Sequence, residues 1–149
     1  MGQLKNKTLD ILLIEDNPDH VKIIQWALEQ SKSKNRLHVV QDGQSALDRL
    51  FTGDSGEDEM RGGPDIIFLD LNLPKVDGRE VLRRIKADSR LKSIPVIVIS
   101  SSQRNDDVRK AYELGANTYV TKSLMFEEFT DAIDHIKTYW WNVAQLPSR

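Results

Sequence analysis

Pro64-Asp65-Ile66-Ile67-Phe68-Leu69-Asp70 is the stretch on which the reading of the fold turns. Four consecutive apolar residues, after a Gly-Gly-Pro break and before Leu71-Asn72-Leu73-Pro74, describe a strand buried on both faces, as in a parallel sheet covered by helices. The run delivers a carboxylate, Asp70, to the carboxyl end of that strand, and open parallel sheets bind ligands in the crevice outside those ends. Three further runs end on chemistry. Ile11-Leu12-Leu13-Ile14 leads into Glu15-Asp16, Val96-Ile97-Val98-Ile99 into Ser100-Ser101-Ser102, and Thr118-Tyr119-Val120-Thr121 into Lys122. If these strands lie parallel in one sheet, three acids, a hydroxyl and an ammonium converge on one edge.

The segments between them read as helices. Asn17-Pro18 is an N-cap followed by a first-turn proline, with Val21, Ile24, Ala27 and Leu28 at helical spacing and an end expected within residues 31–35. A strand is expected over about 37–40, broken by Asp42-Gly43, and then a helix with Ala46, Leu47, Leu50 and Phe51 on one face. Residues 53–64 form a polar, glycine-rich loop near the length limit for unstructured connections. Asp77 and Glu80 have the spacing of a capping box for a helix carrying Val81, Leu82 and Ile85. Residues 104–114 give a helix with Val108, Ala111 and Tyr112 as its apolar face and Gly115 as its stop. The last helix carries Phe126, Phe129, Ile133, Ile136, Trp140 and Val143 as an apolar stripe, leaving Trp141 off it. Trp141 therefore either packs on its own domain or anchors an interface. Strands alternating with helices imply an α/β fold, a five-stranded parallel sheet doubly wound by right-handed crossovers.

The totals narrow the function. A chain of 149 residues supports one domain with its own core. A net charge of −2 leaves no electrostatic footprint for nucleic acid and no attraction to an anionic membrane. The absence of cysteine removes disulfides, zinc thiolate sites and thiol nucleophiles. No run approaches the ~20 apolar residues of a membrane span, and the polar N-terminus has no secretory h-region. A cytoplasmic location is expected.

With these positions in hand, the chain resembles the receiver domain of bacterial two-component response regulators over nearly its whole length. The carrying residues are Glu15-Asp16, Asp70, Leu73-Pro74, Asp77-Gly78, Ser100 and Lys122, in that order. The resemblance implies the flavodoxin-like receiver fold with strand order 2-1-3-4-5. It implies Asp70 as phosphoacceptor, with the donor a phosphohistidine on a sensor histidine kinase. Crowded carboxylates repel, and Mg2+ relieves them through oxygen ligands. The ligands would be Asp16 and Asp70 directly, Glu15 through water, and the backbone carbonyl of Asn72. Lys122 and Ser100 would neutralise and hydrogen-bond the phosphoryl group, and Ser100 with Tyr119 would form the switch. The partition implied is residues 1–8 as tail, 9–146 as receiver with an extended last helix, and 147–149 as tail.

The loop ending in Gly63-Pro64, the run Leu69 to Pro74, the run Asp77 to Leu82 and the aromatic tail closing on Leu146-Pro147 are similar to single-domain regulators partnered with bacterial phytochrome-type histidine kinases. That subgroup implies a stand-alone regulator, not itself an enzyme, that signals through protein contacts and forms a homodimer through the last two helices and the fifth strand. Ser123 follows Lys122 where most receivers carry a proline in a cis bond. Two alternatives stay open: an aspartyl-nucleophile phosphatase or phosphotransferase, disfavoured because Asn72 stands where such enzymes place a second acid, and a non-phosphorylated scaffold. His20, His38 and His135 show no ligand spacing and read as structural or surface residues.

Overall fold

In the computed structural model, residues 8–30, 34–52, 63–122 and 125–147 are described. Strands β1 (Leu9–Ile14), β2 (Asn35–Val40), β3 (Ile66–Leu69), β4 (Val96–Ser100) and β5 (Thr118–Thr121) alternate with helices α1 (Pro18–Glu29), α2 (Gly43–Thr52), α3 (Gly78–Ala87), α4 (Asn105–Glu113) and α5 (Phe126–Thr138). The strands form one sheet in the order β2-β1-β3-β4-β5, every pairing parallel. This is the flavodoxin-like receiver arrangement.

The period of two along each strand explains the unbroken apolar runs. Leu12, Ile14, Ile67, Leu69, Val96 and Val98 face one side, where they meet Ala46, Leu47 and Leu50 of α2 and Val81, Leu82 and Ile85 of α3. Leu9, Ile11, Leu13, Ile66, Phe68, Ile97 and Ile99 face the other, against Ile24, Ala27 and Leu28 of α1 and Phe129, Ile133 and Ile136 of α5. All of β3 is buried because it sits at the centre of both layers. Ile14 lies opposite both Val40 and Leu69, and Leu69 opposite Val98. The central strands therefore end level, and the residues after them share one edge.

Several local expectations are corrected. β2 begins at Asn35 rather than near Leu37, because all six residues of β1 find partners in it; Arg36 there also pairs with Asp10 at 2.8 Å. Asp77 caps α3 by accepting from Arg79 N at 2.8 Å, but Glu80 does not close a box. Its carboxylate accepts from Arg83 Nε and Nη2 at 2.8 and 2.6 Å instead. Tyr112 is exposed and does not belong to the buried face of α4, whose one buried residue is Ala111. The loop at 53–62, residues 31–33 and Ser123, and with it the Lys122–Ser123 bond, lie outside the described residues, as do 1–7 and 148–149. No described helix is long and apolar enough to cross a membrane.

The tail departs most. After Thr138 the helix widens into a π-turn over Tyr139–Val143, in which Ala144 N donates to Tyr139 O at 2.7 Å. An i→i+5 turn adds a residue to the helical repeat. Trp141 therefore comes onto the buried face after Ile136, while Trp140, half-buried, also packs against that layer. Trp141 is 3% exposed, while Val143, expected on the stripe, is 68% exposed. Phe126, also expected there, is exposed at the start of α5 and stacks at a tilt on Trp26. Trp141 packs on its own domain, and its indole Nε1 finds no hydrogen-bond partner among the described residues. Beside it Lys137 is buried and donates to the carbonyl of Leu28 in the last turn of α1, an end where a cation is favoured. Trp141→Ala is expected to cost about 3–5 kcal/mol, the range for an emptied aromatic site. Trp141→Phe should cost much less, since it also removes a buried unpaired N–H. Denaturant midpoints of the two variants check both values.

Candidate functional site

The site begins where β1 stops. Asn17 accepts from the backbone N–H groups of Asp19 and His20 at 2.9 and 3.3 Å, starting α1 immediately after the acidic pair. Its own N–H donates to Glu15 Oε2 at 3.2 Å, which ties the Glu15 side chain to the strand end. On β3, Asp70 N donates to Ile14 O at 3.0 Å, placing Asp70 beside Glu15. Asp70 Oδ1 accepts from Asn72 N at 3.1 Å. Gly78 allows α3 to start against this turn: a Cβ there would sit 2.3 Å from Asp70 O and 2.6 Å from Leu71 Cα.

Glu15, Asp16 and Asp70 each offer a carboxylate oxygen within 4.8 Å of the others. Glu15 and Asp70 are buried, at 1% and 6% exposure, while Asp16 faces solvent. Lys122 reaches the cluster from the end of β5. Its Nζ lies 2.6 Å from Glu15 Oε1 and 3.2 Å from Asp70 Oδ2, and its N–H donates to Ser100 O at 2.7 Å. The structure thus gathers Glu15, Asp16, Asp70 and Lys122. Asn72 lies exposed in the turn after β3. Ser100 and Tyr119 meet through a different residue, Ser102. Ser102 N donates to the buried Ser100 Oγ at 3.2 Å, and Tyr119 Oη donates to Ser102 O at 2.8 Å. Ser102 Oγ in turn donates to Asp107 Oδ2 at 2.5 Å, which holds the Asp107 carboxyl below its usual range.

One residue escaped the sequence reading. His20 lies against the cluster: its Nδ1 is 2.9 Å from Lys122 Nζ. The available signal was its place four residues after Asp16, one helical turn into α1, where the side chain leans back toward the sheet edge. Burial and then the Lys122 charge lower its pKa from 6.5. His38 packs between Asp10, at 3.5 Å, and Arg49, at 3.2 Å, and His135 is exposed. A cavity of about 580 Å³ opens beside His20 and Lys122, bounded also by Ser101, Gln103, Thr121 and Glu128.

Burial pushes the Glu15 carboxyl up from 4.5 to about 7; the hydrogen bond from Lys122 opposes this and the Asp70 charge adds to it. One ammonium does not fully compensate the gathered carboxylates. A donor set made only of carboxylate oxygens suits a hard divalent cation such as Mg2+, Ca2+ or Mn2+ rather than a soft one, and bringing one in would favour the ionised acids.

Residues 11–134 match the response regulator receiver domain family. The chain belongs to that family. Its members act as signalling relays rather than as turnover enzymes. Response regulator Rcp1 from Synechocystis is 38% identical over 99% of both chains, and the structure of its Mn(2+)-bound form superposes with a TM-score of 0.85, at 39% identity over 94% of this chain and 99% of that one. The phosphorylated cyanobacterial phytochrome response regulator RcpA superposes with a TM-score of 0.87, at 42% identity over 95% of this chain and all of that one. A probable methanogenesis regulatory protein, FilR2 from Methanothrix harundinacea, is 42% identical over 93% of this chain and 88% of its own. A divalent ion on Rcp1 agrees with the oxygen-rich cluster found here.

The raised Glu15 pKa has a definite sign for stability. Between about pH 4.5 and 7 the folded state holds a proton on Glu15 that the unfolded chain has lost. Through this group the metal-free protein becomes less stable as pH rises across that window, by up to about 3 kcal/mol. Denaturant midpoints taken in chelator should show this slope, and Glu15→Gln should remove it. Stabilisation by an added divalent ion should be larger above pH 7 than below it.

Proposed function

We propose that this receiver accepts a phosphoryl group on Asp70 from a phosphohistidine of a sensor histidine kinase, with Mg2+ as the assisting ion, and signals through phosphorylation-dependent protein contacts. One observation carries the reading: a buried carboxylate at the end of the central strand, gathered with two further acids and an ammonium that bridges it to one of them. An Asp70 oxygen attacks phosphorus, the P–N bond breaks, and the departing imidazole keeps the electron pair and takes a proton from solvent. The acyl phosphate stays on Asp70. Such transfer needs positioning and charge neutralisation more than covalent assistance.

The residues divide the work. Lys122 sets a positive charge against the incoming oxygens, and Ser100 offers them a hydroxyl proton. Glu15, Asp16, Asp70 and the backbone carbonyl of Asn72 would hold Mg2+, which when bound supplies charge neutralisation for the phosphoryl group. The switch is assigned to Ser100 and Tyr119, since both are already linked through Ser102. The working unit is residues 9–146, in the cytoplasm. Similarity to Rcp1 and RcpA supports a phytochrome-type kinase as partner. The exposed Tyr112 of α4 and Phe126 of α5 support self-association through α4, β5 and α5.

Intact mass after incubation with phosphoramidate and Mg2+ tests the acceptor. A single adduct is expected, dependent on the ion and lost in Asp70→Asn; an adduct that survives in that variant would move the acceptor elsewhere. Sedimentation velocity with and without a beryllofluoride mimic tests the dimer. A two-chain species is expected to gain population with the mimic, and a monomer under both conditions would exclude it.

A further inference from the structure

Lys122 is an ammonium with three protons to give and no lone pair. Its three acceptors are Glu15 Oε1 at 2.6 Å, Asp70 Oδ2 at 3.2 Å and His20 Nδ1 at 2.9 Å. The third contact fixes the chemistry of the ring. A nitrogen facing an ammonium must accept, so His20 is neutral there and carries its proton on Nε2. The contact also divides space. Two acceptors belong to the buried acids, while His20 stands on the side of the cavity of about 580 Å³, with its side chain 32% exposed against 7% for Lys122.

We propose that His20 is a positioning residue for phosphoryl uptake: by accepting one Lys122 proton on the cavity side, it sets the rotation of the ammonium so that the other two protons point at Glu15 and at Asp70. A lysine head is a freely turning group on a flexible four-carbon stem. A donor that is already oriented costs no reorganisation when charge builds on the transferring group. Without His20, water from the cavity takes the third proton and the ammonium is free to turn. The inference rests on the reading of Asp70 as the acceptor, but the hydrogen bond itself is independent of that reading.

Asparagine separates positioning from bulk, because its Oδ1 branches from Cγ as Nδ1 does and can accept in the same place. Phosphoramidate uptake is measured at saturating Mg2+ for wild type, His20→Ala and His20→Asn, with the Mg2+ dissociation constant of each. The maximal uptake rate of His20→Ala should fall about tenfold, toward the lower end of what a hydrogen bond to a charged group is worth. His20→Asn should recover most of it, and the Mg2+ constant should be the same in all three. Nitrogen-15 spectra of the wild type should show His20 Nδ1 without a proton and Nε2 with one. A protonated Nδ1, an unchanged rate in His20→Ala, no recovery in His20→Asn, or a shifted Mg2+ constant would each overturn the inference while leaving Asp70 as acceptor. Failure of the wild type itself to take up phosphate would overturn the Asp70 reading and this inference with it.

Discussion

Three carboxylates share the edge of this sheet with one ammonium, and that imbalance of charge constrains everything around it. Two of the acids, Glu15 and Asp70, are buried, and a buried charge survives only when paired or when it takes up a proton. Lys122 pairs with both at once, yet burial, with the Asp70 charge adding to it, still raises the pKa of Glu15, the more buried of the two. With all three acids ionised the site is two positive charges short. A divalent cation would supply that charge, and on the proposed reading the phosphoryl oxygens would give the ammonium a further anionic partner.

Holding like charges close requires a frame that does not yield. The central strand is buried along its whole length between two apolar layers, and close-packed interiors resist local displacement. The turn after it is fixed from three directions. Asn72 N–H is spent on Asp70 Oδ1, Gly78 N–H on Leu71 O, and the missing Cβ of Gly78 lets the start of α3 lie against Asp70 O. Carboxylate repulsion thus works against main-chain hydrogen bonds and core packing rather than against a mobile loop.

How much of this the sequence disclosed depended on which physical signal each feature carries. The strands and their order of chemistry were legible because a run such as Ile66 to Leu69 can only be buried on both faces, and the next residue must lie at an edge. Glu15, Asp16, Asp70 and Lys122 were legible for the same reason, as the first residues beyond those runs. The contact of His20 with Lys122 was not, since it depends on the angle at which α1 leaves the sheet and on a side chain leaning back along the first turn. Trp141 was misplaced because a constant 3.6-residue repeat does not anticipate a π-turn, which only the packing of the tail selects. The Asp77–Glu80 pair had the spacing of a capping box, but Arg83 one turn along offered Glu80 a charged partner, and that pairing won over a backbone N–H.

The same dependence on local competition governs how the site would speak to its surface. Ser102 carries four hydrogen bonds: its N–H goes to Ser100 Oγ, its carbonyl receives Tyr119 Oη, and its hydroxyl donates to Asp107 while accepting from Arg104 N. Asp107 in turn lies 3.6 Å from Arg79 at the start of α3. On the proposed reading, a turn of Ser100 toward a phosphoryl oxygen withdraws the acceptor from Ser102 N–H. That N–H is half-buried, so leaving it unpaired is costly, and the loop relaxes by moving. Its carbonyl then no longer holds Tyr119 Oη in place. On that reading one hydroxyl rotation at a buried site would be coupled to a tyrosine and to the start of α4, because a single serine bonds to all of them.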